Sequence, residues 1–227
     1  MPGEANTPTK AEQIQYPVGV EELLIVMKTV RETSTTPPTY ADKVWTLPTI
    51  KKIGVKGNGK AVDIYASNKL LATVAKETQH ELSLSHVGIP IALLDEMVGD
   101  AIKKGVSFTT TKAHEFPEFA VGVKAPKSDS VMDVIWYPSC QLDPATKTDW
   151  ETEEDAFKEQ NLDTTILANG LRSTDILFTK YSNARDGEDN LTVEEFTKQV
   201  VYDTEQLDAL GTAKEPVDPA HTGGNPA

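Results

Sequence analysis

The sequence predicts a mainly β fold, an antiparallel β-sandwich or barrel with one flanking α-helix. Three observations carry this prediction. Strand-length apolar runs and alternating stretches fill most of residues 19–210, one segment alone has clear helical spacing, and no regular succession of strand and helix marks a parallel sheet. With 227 residues, 38% of them hydrophobic, the chain suffices for one packed core.

The ends come first. Pro2, Pro8 and Pro17 punctuate residues 1–18, and Pro216, Pro219 and Pro226 punctuate residues 211–227, so both read as arms around a domain at 19–210. Glu22–Val30 is an apolar run of strand length, and residues 45–55 follow after the Pro37-Pro38 turn region. Residues 61–66 alternate. The alternation is sustained over 73–87, with Glu77, Gln79, Glu81, Ser83 and Ser85 on one face and Thr78, His80, Leu82 and Leu84 on the other, which predicts one long two-faced strand.

The helix is predicted next. Pro90 suits its first turn, Leu94, Met97, Val98, Ala101 and Ile102 recur at helical spacing, and Gly105 after Lys103-Lys104 is the expected stop. Asp95 and Glu96 near its start and the lysines near its end suit the helix dipole. Further strands are expected over 106–111, 119–124, 131–137, 156–168 and 171–180, the last two joined by a hairpin turn at Asn169-Gly170. Residues 191–210 fit an acidic helix around Val193, Phe196, Val200 and Val201, while Val200-Val201-Tyr202 fits an extended segment equally well.

The net charge is −13 and it is unevenly spread. Residues 141–163 hold eight acids against Lys147 and Lys158, and residues 186–208 hold eight against Lys198. The rest is near neutral, so the basic stripe of a protein that grips nucleic acid is not expected. No apolar run approaches the ~20 residues of a membrane-spanning helix, and no membrane partner is expected. Met1 to Asn6 lack the basic and apolar stretches of a secretory signal, so the chain is expected to start in a cytoplasm. Cys140 is the one cysteine, which excludes an internal disulfide.

Several motifs imitate chemistry. Gly54-Val55-Lys56-Gly57-Asn58-Gly59-Lys60 has phosphate-loop spacing, but Ala61 stands where magnesium needs a hydroxyl, and a strand follows where a helix is needed. The expectation is a hairpin with Asn58-Gly59 at its turn. His114-Glu115 opens like a zinc-protease helix, yet Pro117 breaks it and no second histidine follows. His80, His86 and His221 lack partners at ligand spacing and are read as surface or cap residues. Residues 186–190 lack the alternating oxygen ligands of a calcium loop, and the carboxylates of residues 151–155 read as a solvated edge. Ser139-Cys140 has no base or strand-to-helix elbow. No catalytic residue, cofactor or metal site is expected, and the chain is read as no enzyme.

In order along about 190 residues, Val18 to Leu23, Trp45 to Lys60, Ala61 to Asn68, Lys76 to His86 running into Ile89 to Leu94, Phe119 to Lys124, Val134 to Tyr137, and Thr152 to Phe157 before 161–168 resemble the major tail tube proteins of long-tailed bacteriophages, especially those of Gram-positive hosts. The resemblance implies the two-sheet tail tube fold, which is similar to that of type VI secretion tube proteins. It also implies hexameric rings stacked into a hollow tube of the virion tail, assembled in the host cytoplasm. The implied partners are further copies of the chain, the tape measure protein, the tail terminator and distal tail proteins, with DNA passing through unbound during ejection. Ring-to-ring contacts are then expected from the loop 33–40 (Thr33, Thr36, Tyr40), the hairpin 56–60 (Lys56, Asn58, Lys60) and both arms. Glu77, Gln79 and Glu81 are candidates for the lumen, where negative charge repels phosphate; facing solvent or a neighbouring subunit is the equal alternative. A secretion-system tube protein and a carbohydrate-binding β-sandwich module are the competing readings.

Overall fold

A computed structural model of the chain describes residues 9–66, 69–112, 115–144, 162–185 and 190–211. In chain order the strands are β1 (Glu22–Val30), β2 (Thr39–Tyr40), β3 (Trp45–Leu47), β4 (Ile50–Gly57), β5 (Lys60–Ala66), β6 (Lys69–Lys76) and β7 (Gln79–His86). Helix α1 (Ile91–Val98) follows, then β8 (Ala101–Lys103), β9 (Val106–Phe108), β10 (Phe119–Lys127), β11 (Val131–Leu142), β12 (Leu162–Asn169), β13 (Thr179–Ser182), α2 (Val193–Thr197) and α3 (Thr204–Gly211). The fold is mainly β and every pairing in it is antiparallel.

One large sheet runs in the order β2-β1-β10-β11-β12-β7-β4, with β3 also on β1 and β13 also on β11. Two residues, Pro48 and Thr49, lead from β3 at one end of this order to β4 at the other. The sheet therefore curls, and Leu23, Leu47, Ile50, Leu82, Phe119, Val121 and Ile166 from strands across it meet in one core with Leu93 and Met97 of α1. The central strands bury their second face as well. Leu24, Val26, Ala120, Val134 and Trp136 pack beneath Phe196, Val200 and Val201, which explains the continuous apolar run of β1. Trp136 lies flat on Gly122, where an added Cβ would come within 2.8 Å of the ring, and its indole N–H donates to Phe196 O at 3.0 Å.

The structure corrects several expectations. The alternation over 73–87 belongs to two strands, β6 and β7, which lie in different sheets and are parted at Glu77-Thr78. Helix α1 stops at Gly99, whose φ of 75° and N–H to Asp95 O bond close its last turn. Gly105 instead takes φ 81° beside Lys104 at 53°, a two-residue hairpin turn between β8 and β9, so Ala101 and Ile102 are strand residues. Leu93 and Met97, not Leu94, face the core. The strand expected over 106–111 ends at Phe108, and that expected over 45–55 is split at Pro48-Thr49.

Asn58-Gly59 is no hairpin turn, because β4 pairs with β7 while β5 pairs with β6. Asn169-Gly170 is none either. Both edges of β12 are occupied, by β11 and β7, so residues 171–178 turn back and β13 pairs further along β11. Of residues 191–210, Val200-Val201 is a buried non-helical link between α2 and α3. Within the stretch read as the amino-terminal arm, Tyr16 to Val18 are tied to the β10–β11 turn: Ser128 N–H donates to Tyr16 O at 3.0 Å and Val18 N–H to Pro126 O at 2.9 Å. Residues 1–8, 67–68, 113–114, 145–161, 186–189 and 212–227 lie outside the described residues, and with them six of the eight acids of the stretch 141–163 and three of the eight of the stretch 186–208.

Buried charge is fully engaged near the end of β1. The Lys28 side chain is inaccessible, with its Nζ at 2.6 Å from Glu32, 2.7 Å from Glu118 and 3.1 Å from the Ser139 hydroxyl. Burial alone would raise the Glu32 pKa, but the Lys28 hydrogen bond and charge outweigh it and hold the carboxyl below its ordinary 4.5. Asp133 likewise resists burial through Lys127 at 2.8 Å and Lys180 at 2.9 Å, and sits below its ordinary 3.8.

Lys28→Met strands two buried carboxylates, so it is expected to cost about 3–5 kcal/mol in urea unfolding, whereas adding Glu32→Gln and Glu118→Gln to it restores most of that loss. Both lowered carboxyls bind protons more readily in the unfolded chain. Their stabilisation is therefore complete above pH 4.5 and is lost as pH falls from there through the folded-state values, which the urea midpoint measured against pH will show. Gly122→Ala is expected to cost about 1–3 kcal/mol and to shift the emission of Trp136.

Candidate functional site

Burial fades along β4: Ile50 lies in the core, Ile53 packs at its margin, and Val55 is half exposed. Pairing does not fade with it. Past Gly57↔His80 the same two chain segments continue as β5 and β6, which pair from Lys60↔Lys76 to Ala66↔Lys69. Every described side chain of this ribbon is exposed. On one face Val62 sits opposite Val74 and Ile64 opposite Ala72, bounded at the base by Lys60 and Lys76. On the other, the Thr73 hydroxyl donates to Asp63 at 2.7 Å. Leu71 is an extra residue at a bulge near the tip and is 70% exposed.

The root of this arm is tightly built. The Asn58 side-chain oxygen accepts from Thr78 N–H at 3.0 Å and Gln79 N–H at 3.1 Å, and its Nδ2 donates to the Thr78 hydroxyl at 2.9 Å. Asn58 N–H also donates to Gln79 O at 3.1 Å, so this one residue bridges the two ladders where the ribbon changes sheet. Glu77 folds over Gly57, where a Cβ would overlap its carboxylate, and reaches His80 Nε2 at 3.2 Å. His80 Nδ1 lies 3.2 Å from the Tyr137 hydroxyl. Burial pushes the Tyr137 pKa up to about 12, and His80 and His86, read from the sequence as surface or cap residues, are both buried. Tyr137 and Phe178 lie 5.7 and 5.6 Å from the His80 ring and close the core beneath the arm.

The residues singled out in the sequence therefore fall in different places. Glu77 belongs to the arm's root and is paired with His80. Gln79 and Glu81 share the outer face of β7, where Gln79 donates to Asn169 at 2.9 Å and Glu81 lies 4.0 Å from Lys56. Lys60 is at the arm's base. Thr33 closes its own turn, accepting from Thr36 N–H at 3.0 Å, and Tyr40 is half-buried with its hydroxyl on Pro138 O at 2.7 Å. Cys140 is buried and its thiol pKa is pushed up by that burial, so it lacks the character of a nucleophile.

Sequence reasoning missed the arm as a unit. A signal was present: residues 60–66 and 69–76 alternate symmetrically about 67–68, with lysines at both ends, and residues 51–76 hold six lysines against Asp63. A second exposed hairpin, β8–β9, presents Ile102, Val106 and Phe108.

Asn58→Ala removes the three bonds at the root, and the amides of Thr78 and Gln79 are then expected to exchange about tenfold faster in native-state hydrogen exchange, with a stability cost of about 1 kcal/mol. In comparisons with known proteins, no protein family matches the chain, and no curated protein matches it.

Proposed function

We propose that the chain is the repeating subunit of a phage tail tube, with hexameric rings stacking into the conduit through which DNA leaves the virion. The observation that carries this reading is the β5–β6 arm, a paired ribbon with an apolar face that none of the described residues covers. A two-stranded ribbon is marginal in water by itself, and exposed apolar strands invite pairing with another chain. Closing a ring or stacking a ring on the next covers such surfaces by symmetry. The curled antiparallel sheet with α1 on its core supplies the rigid body, and the finer assignment to a two-sheet tail tube fold belongs to the same proposal. The partners are further copies of the chain, then tape measure, terminator and distal tail proteins, and the protein is no enzyme.

Negative-stain microscopy of the purified chain is expected to show six-fold rings or tubes. Compact monomers at high concentration, even with a tape measure protein added, would rule the proposal out. Val62→Glu with Ile64→Glu touches nothing in the core, so unfolding is expected to move by less than about 0.5 kcal/mol while assembly is lost. Tubes formed by that variant would show that the arm's apolar face is not an assembly surface.

A further inference from the structure

We infer that the arm of one protomer seats in a groove of a second copy, lying between β2 and the α2–α3 segment, with the arm's lysines against that segment's carboxylates. This rests on the reading of the chain as a self-assembling subunit and names the receiving site.

The groove encloses about 350 Å³ and has an apolar floor of Val26 and Val200. Tyr40 and Tyr202 form its aromatic wall, their rings 5.9 Å apart, held by the Tyr40 hydroxyl on Pro138 O and the Tyr202 hydroxyl on Pro38 O. A rigid aromatic pair with anchored hydroxyls is the kind of surface that takes small aliphatic side chains such as Val62, Ile64 and Val74. β2, the edge strand of the sheet, flanks it.

Charge supports the same pairing. Residues 51–76 carry six lysines against one acid, whereas residues 190–211 carry Glu194, Glu195, Asp203, Glu205 and Asp208 against Lys198. Lys60, Lys69 and Lys76 form no ion pair among the described residues, and neither do Asp42 on the groove wall, Glu194 or Glu205. In a chain of net charge −13, this basic ribbon meets an acidic molecular surface when copies come together. The arm springs from the β4–β7 end of the strand order and the groove lies at the β1–β2 end. A contact between different patches of identical copies is head-to-tail, the type that generates rings and filaments. A phosphate backbone suits the arm less well, because Val62, Ile64, Val74 and Ala72 occupy its face between the lysines of base and tip.

The test uses the full chain with two sets of charge reversals. One set is Lys60→Glu, Lys69→Glu and Lys76→Glu in the arm. The other is Asp42→Lys, Glu194→Lys and Glu205→Lys at the groove. Each set alone is expected to raise the concentration needed for assembly about tenfold in sedimentation velocity. A one-to-one mixture of the two variants, and a chain carrying both sets, are expected to recover assembly, because each arm again meets a groove of opposite sign. Single reversals that assemble like the parent, or folded variants that do not recover on mixing, would overturn the inference while leaving the tube reading standing if the parent still forms tubes. Recovery on mixing into closed oligomers, with no tubes from the parent, would support the groove and remove the tube reading. Salt-sensitive binding of duplex DNA that the arm reversals abolish, with assembly unaffected, would assign the arm to phosphate and overturn the inference.

Discussion

Backbone pairing in this protein extends further than its hydrophobic core. The ladder that joins β4 to β7 begins under α1, where Ile50 and Leu84 are buried, and the same two segments go on pairing as β5 and β6 after the core has ended. Hydrogen bonds between strands need no buried face to form, but they need one to be stable against water. The chain therefore carries a surplus of paired strand that no described residue buries. The exposed Leu71 and the exposed face of Val62 and Val74 follow from that single mismatch, and the proposed assembly would resolve it.

A projecting ribbon is useful only if its root is stiff, and the structure spends its polar groups there. Asn58 bridges the break between the two ladders, Glu77 and His80 fold the turn back on the sheet, and Tyr137 with Phe178 seals the core below. Behind them β11 is shared by three neighbours, with β10 on one edge and β12 and β13 on the other. A register shift against β10 around Pro138-Ser139 lets this strand serve both parts of the sheet. The Lys28 cluster reaches the same Ser139, so the bend of β11 and the end of β1 are held by one set of hydrogen bonds.

Charge is divided by element. The acidic residues described on α2 and α3 lie over the second, smaller core, where Glu195 also caps α2 through Thr192. The lysines gather on β4, β5 and β6. A monomer gains nothing from that separation, since charges on different surfaces in water interact weakly. Copies that meet head-to-tail do gain, because the opposite signs are brought together as apolar surface is covered.

Local sequence was enough for the class of fold, for the positions of β1, β10 and β12 to within a few residues where they are described, and for the presence of one early helix, whereas β13 begins eight residues after the strand expected from 171. These depend on local periodicity and on turn residues, which each segment carries on its own. It also held the decoy status of the glycine-rich stretch, because Ala61 and the alternation after it are local facts. Pairing was settled by the folded chain as a whole. Residues 73–87 alternate without a break in the sequence, yet they serve two sheets, since alternation records which way side chains point and not which strand lies alongside. Asn58-Gly59 and Asn169-Gly170 have the composition of hairpin turns, but Asn58 is held by the backbone of Thr78 and Gln79, and both edges of β12 are already occupied. Gly99 and Gly105 each had the chemistry to end a helix, and the choice fell to Gly99 once the eight-residue helix had placed Leu93 and Met97 in the core. Edge occupancy and core volume are sums over the whole chain, and no window of sequence contains them.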